Sequence, residues 1–136
     1  MNSESATKLV APFYEALNQP SKKDVDALLG SCLAPTWTSS AIEGDAKGRE
    51  AFIQQVKGFG KALPDLKWTI REVVADGDKI VVRSEVTGTP AGDFMGVPHA
   101  GKSFKIMTLD LHTVRDDKMA HAFHCEDWAS ALRQLK

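Results

Sequence analysis

The chain has 136 residues, of which 43% are hydrophobic and 26% charged, and a formal net charge of −1. That length suits one domain spanning 1–136, and the composition excludes intrinsic disorder. The near-neutral charge, without any basic stripe, excludes a nucleic-acid surface, which needs clustered Lys and Arg. No window approaches the ~18 apolar residues of a membrane span, and the first residues lack the basic-then-apolar layout of a secretory leader. Cys32 and Cys125 form no C-x-x-C pair. They read as reduced thiols, so the expected location is the cytoplasm.

In chain order, Ala6, Val10, Phe13, Tyr14 and Leu17 recur at helical spacing, with Ser3 or Ser5 as cap and Pro12 as a point of interruption. Ser21 and Asp24 approximate a capping box for a second helix carrying Val25, Leu28 and Leu29, with Gly30 at its end. Residues 35–42 read as a strand around Trp37, and 46–49 as a loop. Ala51, Phe52, Val56 and Phe59 give a third amphipathic helix closed by Gly58 and Gly60. Strands follow over 67–75 and 78–89, joined at Asp76-Gly77, a strong hairpin signal. After a loop rich in Gly and Pro come strands over 104–115 and 118–126, then a short helix with Trp128, Ala131, Leu132 and Leu135 apolar. Helices first and a run of antiparallel strands after is the α+β pattern, with helices packed on one face of a curved sheet.

The last hairpin carries the chemistry. With Asp116 and Asp117 as its loop, an unbroken ladder pairs His112 with His121, Asp110 with Phe123 and Thr108 with Cys125. One face then collects Asp110, His112, His121, Phe123 and Asp127, and the other Leu109, Leu111, Ala120, Ala122, His124 and Glu126. Carboxylates and imidazoles among apolar groups suit a pocket wall rather than a dry core. Trp37 and Arg83 are further pocket-lining candidates, against ordinary roles as core and exposed strand residues. Asp127 stands where strand gives way to helix, so it is a candidate helix cap as well as a candidate acid/base. His121 and His124, three apart in a strand, point to opposite faces and do not share a metal ion. A His112, His121, Asp127 metal site is a further reading.

The stretch Gly88-Thr89-Pro90-Ala91-Gly92-Asp93-Phe94-Met95-Gly96-Val97-Pro98-His99-Ala100-Gly101 resembles the GT-x-x-G-x-x-x-G-x-P-x-x-G segment of SnoaL-like polyketide cyclases of the NTF2-like superfamily. The closing DDKMAHAFHCEDWASALRQL is similar to that family's DGKI-x-E-x-W-x-x-x-D-x-x-x-x-x-x-QL ending, as are Gly48-Arg49-Glu50-Ala51-Phe52 and ADGDKIVVR upstream. The resemblance implies a cone with N-terminal helices packed on a curved sheet enclosing a pocket. It implies a homodimer, a small-molecule partner, no metal or organic cofactor, and Asp127 as general acid/base of an aldol-type ring closure. His121, Phe123, His112 and Pro90 depart from the family pattern, which bears on the substrate.

Three functions are consistent with these residues. One is a cofactor-free acid/base enzyme acting on a small apolar carbonyl compound, with Asp127 moving the proton and His112 or His121 assisting, or with the carboxylate activating water. A second is a small-ligand-binding domain without chemistry. A third is an interaction domain docking through its outer sheet face.

Overall fold

A computed structural model of the chain describes residues 1–136. Helix α1 spans Ser3–Leu17. Its cap is Asn2, whose side chain accepts from the Ser5 N–H at 2.8 Å, while Ser5 Oγ accepts from the Asn2 N–H at 3.1 Å. Pro12 lies inside the helix without ending it. A 3₁₀ turn at Pro20–Lys22 precedes α2, Val25–Cys32, which starts at an Asp24 cap and continues through Gly30. Strand β1, Leu33–Ser40, begins two residues earlier than its sequence signal suggests, and 46–49 contains the two-residue strand β2, Lys47–Gly48. Helix α3, Arg49–Ala62, passes through both Gly58 and Gly60 and stops before Pro64. Strands β3 (Lys67–Asp76), β4 (Lys79–Gly88), β5 (Phe104–Arg115) and β6 (Lys118–Glu126) follow, then α4, Trp128–Leu135. No helix is long and apolar enough to cross a membrane.

The six strands form one sheet in the order β2-β1-β6-β5-β4-β3. Neighbours pair antiparallel except β1 and β6, which run parallel. The sheet curves without closing, and helices pack on its inner face, which is the cone expected of an α+β chain of this pattern. On β5, Phe104, Ile106, Thr108, Asp110 and His112 are buried, while Met107, Leu109 and Leu111 face out. This is the period-two alternation of a strand with one covered face.

The last hairpin corrects the expected register. Asp116 and Asp117 do form its loop, at φ 52° and 59°. Two left-handed residues in succession make a turn whose twist matches the flanking strands, and Asp tolerates that conformation better than most. Arg115 pairs with Lys118 and Val114 with Met119, but Thr113 then pairs with His121. Ala120 is therefore an extra residue, a β-bulge. Beyond it His112 pairs with Ala122, Asp110 with His124 and Thr108 with Glu126. Every β6 side chain past the bulge lies on the face opposite to that expected from an unbroken ladder.

Gly60 does not terminate α3. It lets the helix press against the 3₁₀ turn: a Cβ there would lie 2.9 Å from the Ser21 nitrogen and 3.0 Å from Pro20 Cβ. Gly58 has nothing within 4 Å of the same position. Gly60→Ala is expected to destabilise the fold by about 1–3 kcal/mol through overpacking. Gly58→Ala is expected to be neutral or stabilising by up to ~1 kcal/mol through helix propensity. Chemical denaturation of both variants checks this, and equal effects would contradict it.

Candidate functional site

Between the inner sheet face and helices α1 and α3 lies a cavity of about 40 Å³. That is room for roughly three water molecules. Phe13 and Leu17 of α1 and Phe52, Val56 and Phe59 of α3 make its apolar roof. Trp37, Trp68 and Trp128 flank it. Its polar groups are Ser39, Gln55, Asp110, His124 and Glu126.

Asp110 is the centre of a buried chain of hydrogen bonds. Tyr14 Oη donates to Asp110 Oδ2 at 2.6 Å and lies 2.7 Å from His112 Nε2. Tyr14 reaches the site because α1 places its apolar stripe over β5. Burial pushes the Asp110 carboxyl up to about 7; the Tyr14 hydrogen bond works against this, and the charge of Glu126 adds to it. Burial also holds His112 down to about 3, so the ring is neutral. Tyr14 is raised well above the usual phenol value, first by burial and then by the Asp110 charge, so it stays a donor. With Asp110 ionised, the phenol proton belongs to Asp110, so His112 Nε2 must carry a proton and donate to the phenol oxygen. His112 Nδ1 is buried without a partner. Asp110 lines the cavity, and Tyr14 and His112 do not.

The cross-strand neighbour of Asp110 is His124, whose Nδ1 pairs with Glu126 Oε2 at 2.7 Å. The Glu126 hydrogen bond raises the His124 pKa, partly offset by burial. Two acid/base units thus share one wall: a carboxyl that titrates near neutrality and an imidazole biased towards its charged form.

The candidates from sequence divide accordingly. Asp110 and Trp37 line the cavity, and His112 is buried behind Asp110. His121 and Phe123 do not line it, because the bulge turns them outward. His121 bonds Thr38 Oγ1 at 2.8 Å, and Phe123 is 39% exposed. Arg83 lies on the outer face, paired with Glu72 at 3.0 Å. Asp127 caps α4: its carboxylate accepts from the Ser130 N–H at 3.1 Å and from Ser130 Oγ at 2.6 Å, and these bonds hold its pKa below the usual carboxylate value. It stands outside the cavity. The bulge also separates His112 from His121, which leaves the His112, His121, Asp127 metal reading without a common centre. Sequence reasoning missed Tyr14 and Trp68, which pass as ordinary apolar positions, and His124 and Glu126, which it assigned to the packing face. A bulge signal at Ala120 would have found the last two.

A curved α+β cone with a polar-studded cavity under its helices is the architecture of the NTF2-like and ketosteroid isomerase-like proteins. The SnoaL-like polyketide cyclase family matches residues 8–135, and the chain belongs to that family. Among solved structures it is similar to TsrD from Streptomyces laurentii, at 24% identity and a TM-score of 0.84, covering 99% of this chain and 97% of that one. It is also similar to wild-type IdmH from Streptomyces antibioticus, at 27% identity and a TM-score of 0.81, covering 95% and 96%. A protein of ketosteroid isomerase-like fold from Catenulispora acidiphila DSM 44928, in complex with trimethylamine, aligns at 19% identity with a TM-score of 0.75, covering 94% and 92%. No curated protein matches the chain at a significant level.

Asp110 and His112 pull the pH dependence of stability in opposite directions. The folded protein keeps the Asp110 proton up to about 7, whereas the unfolded chain releases it near 3.8. The contribution of Asp110 is present at low pH and lost as pH rises through that window. The unfolded chain protonates His112 below 6.5, the folded protein only near 3. Its contribution is present above the first value and lost as pH falls towards the second. Asp110→Asn removes the first slope and, with the Asp110 charge, a lesser part of what raises His124. Relative to wild type, the variant is expected to lose stability as pH falls from about 7 to 4, by up to about 1.4 kcal/mol per pH unit. Urea denaturation at three pH values measures this, and a pH-independent difference between the two proteins would refute the buried, proton-holding state of Asp110.

Proposed function

We propose that this protein is a cofactor-free acid/base catalyst acting on a small, largely apolar carbonyl compound, with Asp110 as the proton-transfer group. The observation that carries this reading is Asp110 itself: a carboxyl on the cavity wall, held by Tyr14 at 2.6 Å and shifted to about 7. A general base works best when its pKa lies near the working pH. Family membership supports the reaction class, an intramolecular aldol-type cyclisation.

Ionised Asp110 takes a proton from the carbon next to the substrate carbonyl. The electrons of that C–H bond move to the carbonyl oxygen, where protonated His124, oriented by Glu126, donates a hydrogen bond to the developing enolate. The enolate carbon then attacks a second carbonyl of the same molecule. A C–C bond forms, the second carbonyl becomes an alkoxide, and Asp110 returns its proton there. The apolar roof excludes water, which strengthens each of these charge contacts. Asp127, the residue aligned with the family's acid/base, acts in this reading as a helix cap.

The domain functions in the cytoplasm, with Cys32 and Cys125 as free thiols, and as a homodimer. The outward face of β4, β5 and β6 presents Val81, Met107, Leu109, Leu111 and Phe123, each at least one-third exposed. Leu111 pairs with Val81 on one side and Phe123 on the other, which makes the patch continuous. A contiguous apolar patch on an open sheet face marks an association surface.

Two measurements test these proposals. Deuterium incorporation from D₂O into small apolar ketones, acetophenone and 2-tetralone among them, is expected with wild type. It is expected to rise with pH through about 7, to fall on the order of 100- to 10,000-fold in Asp110→Asn, and to be nearly unchanged in Asp127→Asn. The reverse order of the two variants would return the role to Asp127. Light scattering is expected to report a dimer, and Leu111→Glu a monomer; a wild-type monomer at micromolar concentration would rule out the assembly.

A further inference from the structure

The chain has three tryptophans, and two of them have buried indole N–H groups with no acceptor in the protein, Trp37 Nε1 and Trp68 Nε1. Trp37 is 1% exposed and Trp68 8%. Both side chains line the cavity. An indole N–H that leaves water ordinarily finds an acceptor, because an unpaired buried donor destabilises the fold. One orphan is a local irregularity. Two on the wall of one cavity, each from a different strand, are a pattern.

The acceptors already in the cavity do not serve them. Asp110 Oδ2 accepts from Tyr14, and Glu126 Oε2 pairs with His124. The two indoles approach from opposite flanks, since β1 and β3 are separated in the sheet by β6, β5 and β4. Asp110 on β5 lies between them. The space under the helices is bounded by the rings of Phe13, Phe52 and Phe59, which favour a flat apolar frame.

We propose that Trp37 and Trp68 are two oxygen-recognition subsites, so that the cavity selects a flat apolar ligand with a hydrogen-bond acceptor at each end. A compound with two carbonyl or ether oxygens meets both donors. A hydrocarbon of the same shape leaves both unpaired, and an ammonium end sets donor against donor. The selection is by what is left unsatisfied: a site built around buried donors rejects an analogue without acceptors far more strongly than an apolar wall rejects a change of size. This rests on the proposed reading that the cavity holds the substrate, and it is independent of whether Asp110 moves a proton.

Three probes of matched shape separate these ideas: 1,4-diacetylbenzene, 4-ethylacetophenone and 1,4-diethylbenzene, carrying two, one and no acceptors. The readout is the ¹⁵N–¹H indole signals of the wild-type protein, assigned through the backbone and checked with Trp37→Phe and Trp68→Phe. The wild-type measurement stands if either variant fails to fold. The diketone is expected to move the Trp37 and Trp68 signals downfield, and the hydrocarbon neither. The diketone is expected to bind at least about 5-fold more tightly than the hydrocarbon, the worth of one neutral hydrogen bond. Each Phe variant is expected to lower that preference. In Asp110→Asn the indole response should persist while deuterium exchange into the acetyl methyls disappears. Absent exchange in wild type with an intact indole response would refute proton transfer and leave the subsites standing. Indole signals unmoved by the diketone, or equal binding of diketone and hydrocarbon, would overturn the proposal.

Discussion

The extra residue at Ala120 decides which half of β6 the cavity sees. Without it, His121, Phe123, Cys125 and Asp127 would face the helices, and a large aromatic ring would occupy the space beside Asp110. With it, a small side chain, Ala122, sits opposite His112, and His124 sits opposite Asp110. The bulge thus opens room under α1 and α3 and sets an imidazole next to a carboxyl. It also sends Phe123 to the outer surface, where it completes the apolar patch with Leu111 and Val81. One inserted residue therefore shapes both the interior chemistry and the exterior contact face, in keeping with the way bulges re-aim side chains near functional sites.

A buried carboxyl and a buried imidazole would each be expensive alone. Here they share one phenol. Tyr14 donates a hydrogen bond to Asp110 and stands within hydrogen-bonding distance of His112, so two ionisable groups are served by a single hydroxyl on a neighbouring helix. The cost is met by neutrality: His112 stays uncharged, and Asp110 carries its proton over much of the acidic range. The contact also ties α1 to β5, so the same hydroxyl that tunes the carboxyl helps to hold the helical layer on the sheet.

Much of the fold was legible because it follows from period and punctuation. The stripes of α1 and α3, the Asp76-Gly77 hairpin, and the bounds of β5 and β6 all come from local pattern. The inward set on β5, including Asp110 and His112, was also legible, since its parity is counted from a turn that was correctly placed. The errors have physical causes. Gly30 and Gly60 carry the local signal of a helix end, but tertiary packing overrides propensity, and at Gly60 the missing side chain serves a close approach. The β6 set failed because parity counting carries a single inserted residue through every later position. The cap geometry of Asp127 depends on Ser130, a partner visible in the sequence but carrying no signal of its own there. Tyr14 was hidden because a phenol on an apolar stripe looks like core until the partner across the layer is known.

The close seat of Gly60 on Pro20 and Ser21 has a mechanical consequence for the cavity roof. The N-terminal end of α3 is tied to β1 by a hydrogen bond from Arg49 Nη1 to the Leu33 carbonyl at 3.3 Å, while its tight backbone approach is at the Gly60 end. The ion pair of Lys57 with Asp26 strengthens the same end. Phe52, at the far end, is eight residues from Gly60, or about 12 Å along the axis at 1.5 Å per residue. A tilt of a few degrees about the Gly60 seat would move Phe52 by roughly half an ångström to an ångström and leave Phe59 almost in place. Phe52 packs against Trp37 with ring centroids 4.9 Å apart, and Phe59 stacks on Trp128 at 5.6 Å. Any tilt about the Gly60 seat would open space beside Trp37 before it opened space beside Trp128, so the two ends of one cavity differ in how the same helix motion would reach them.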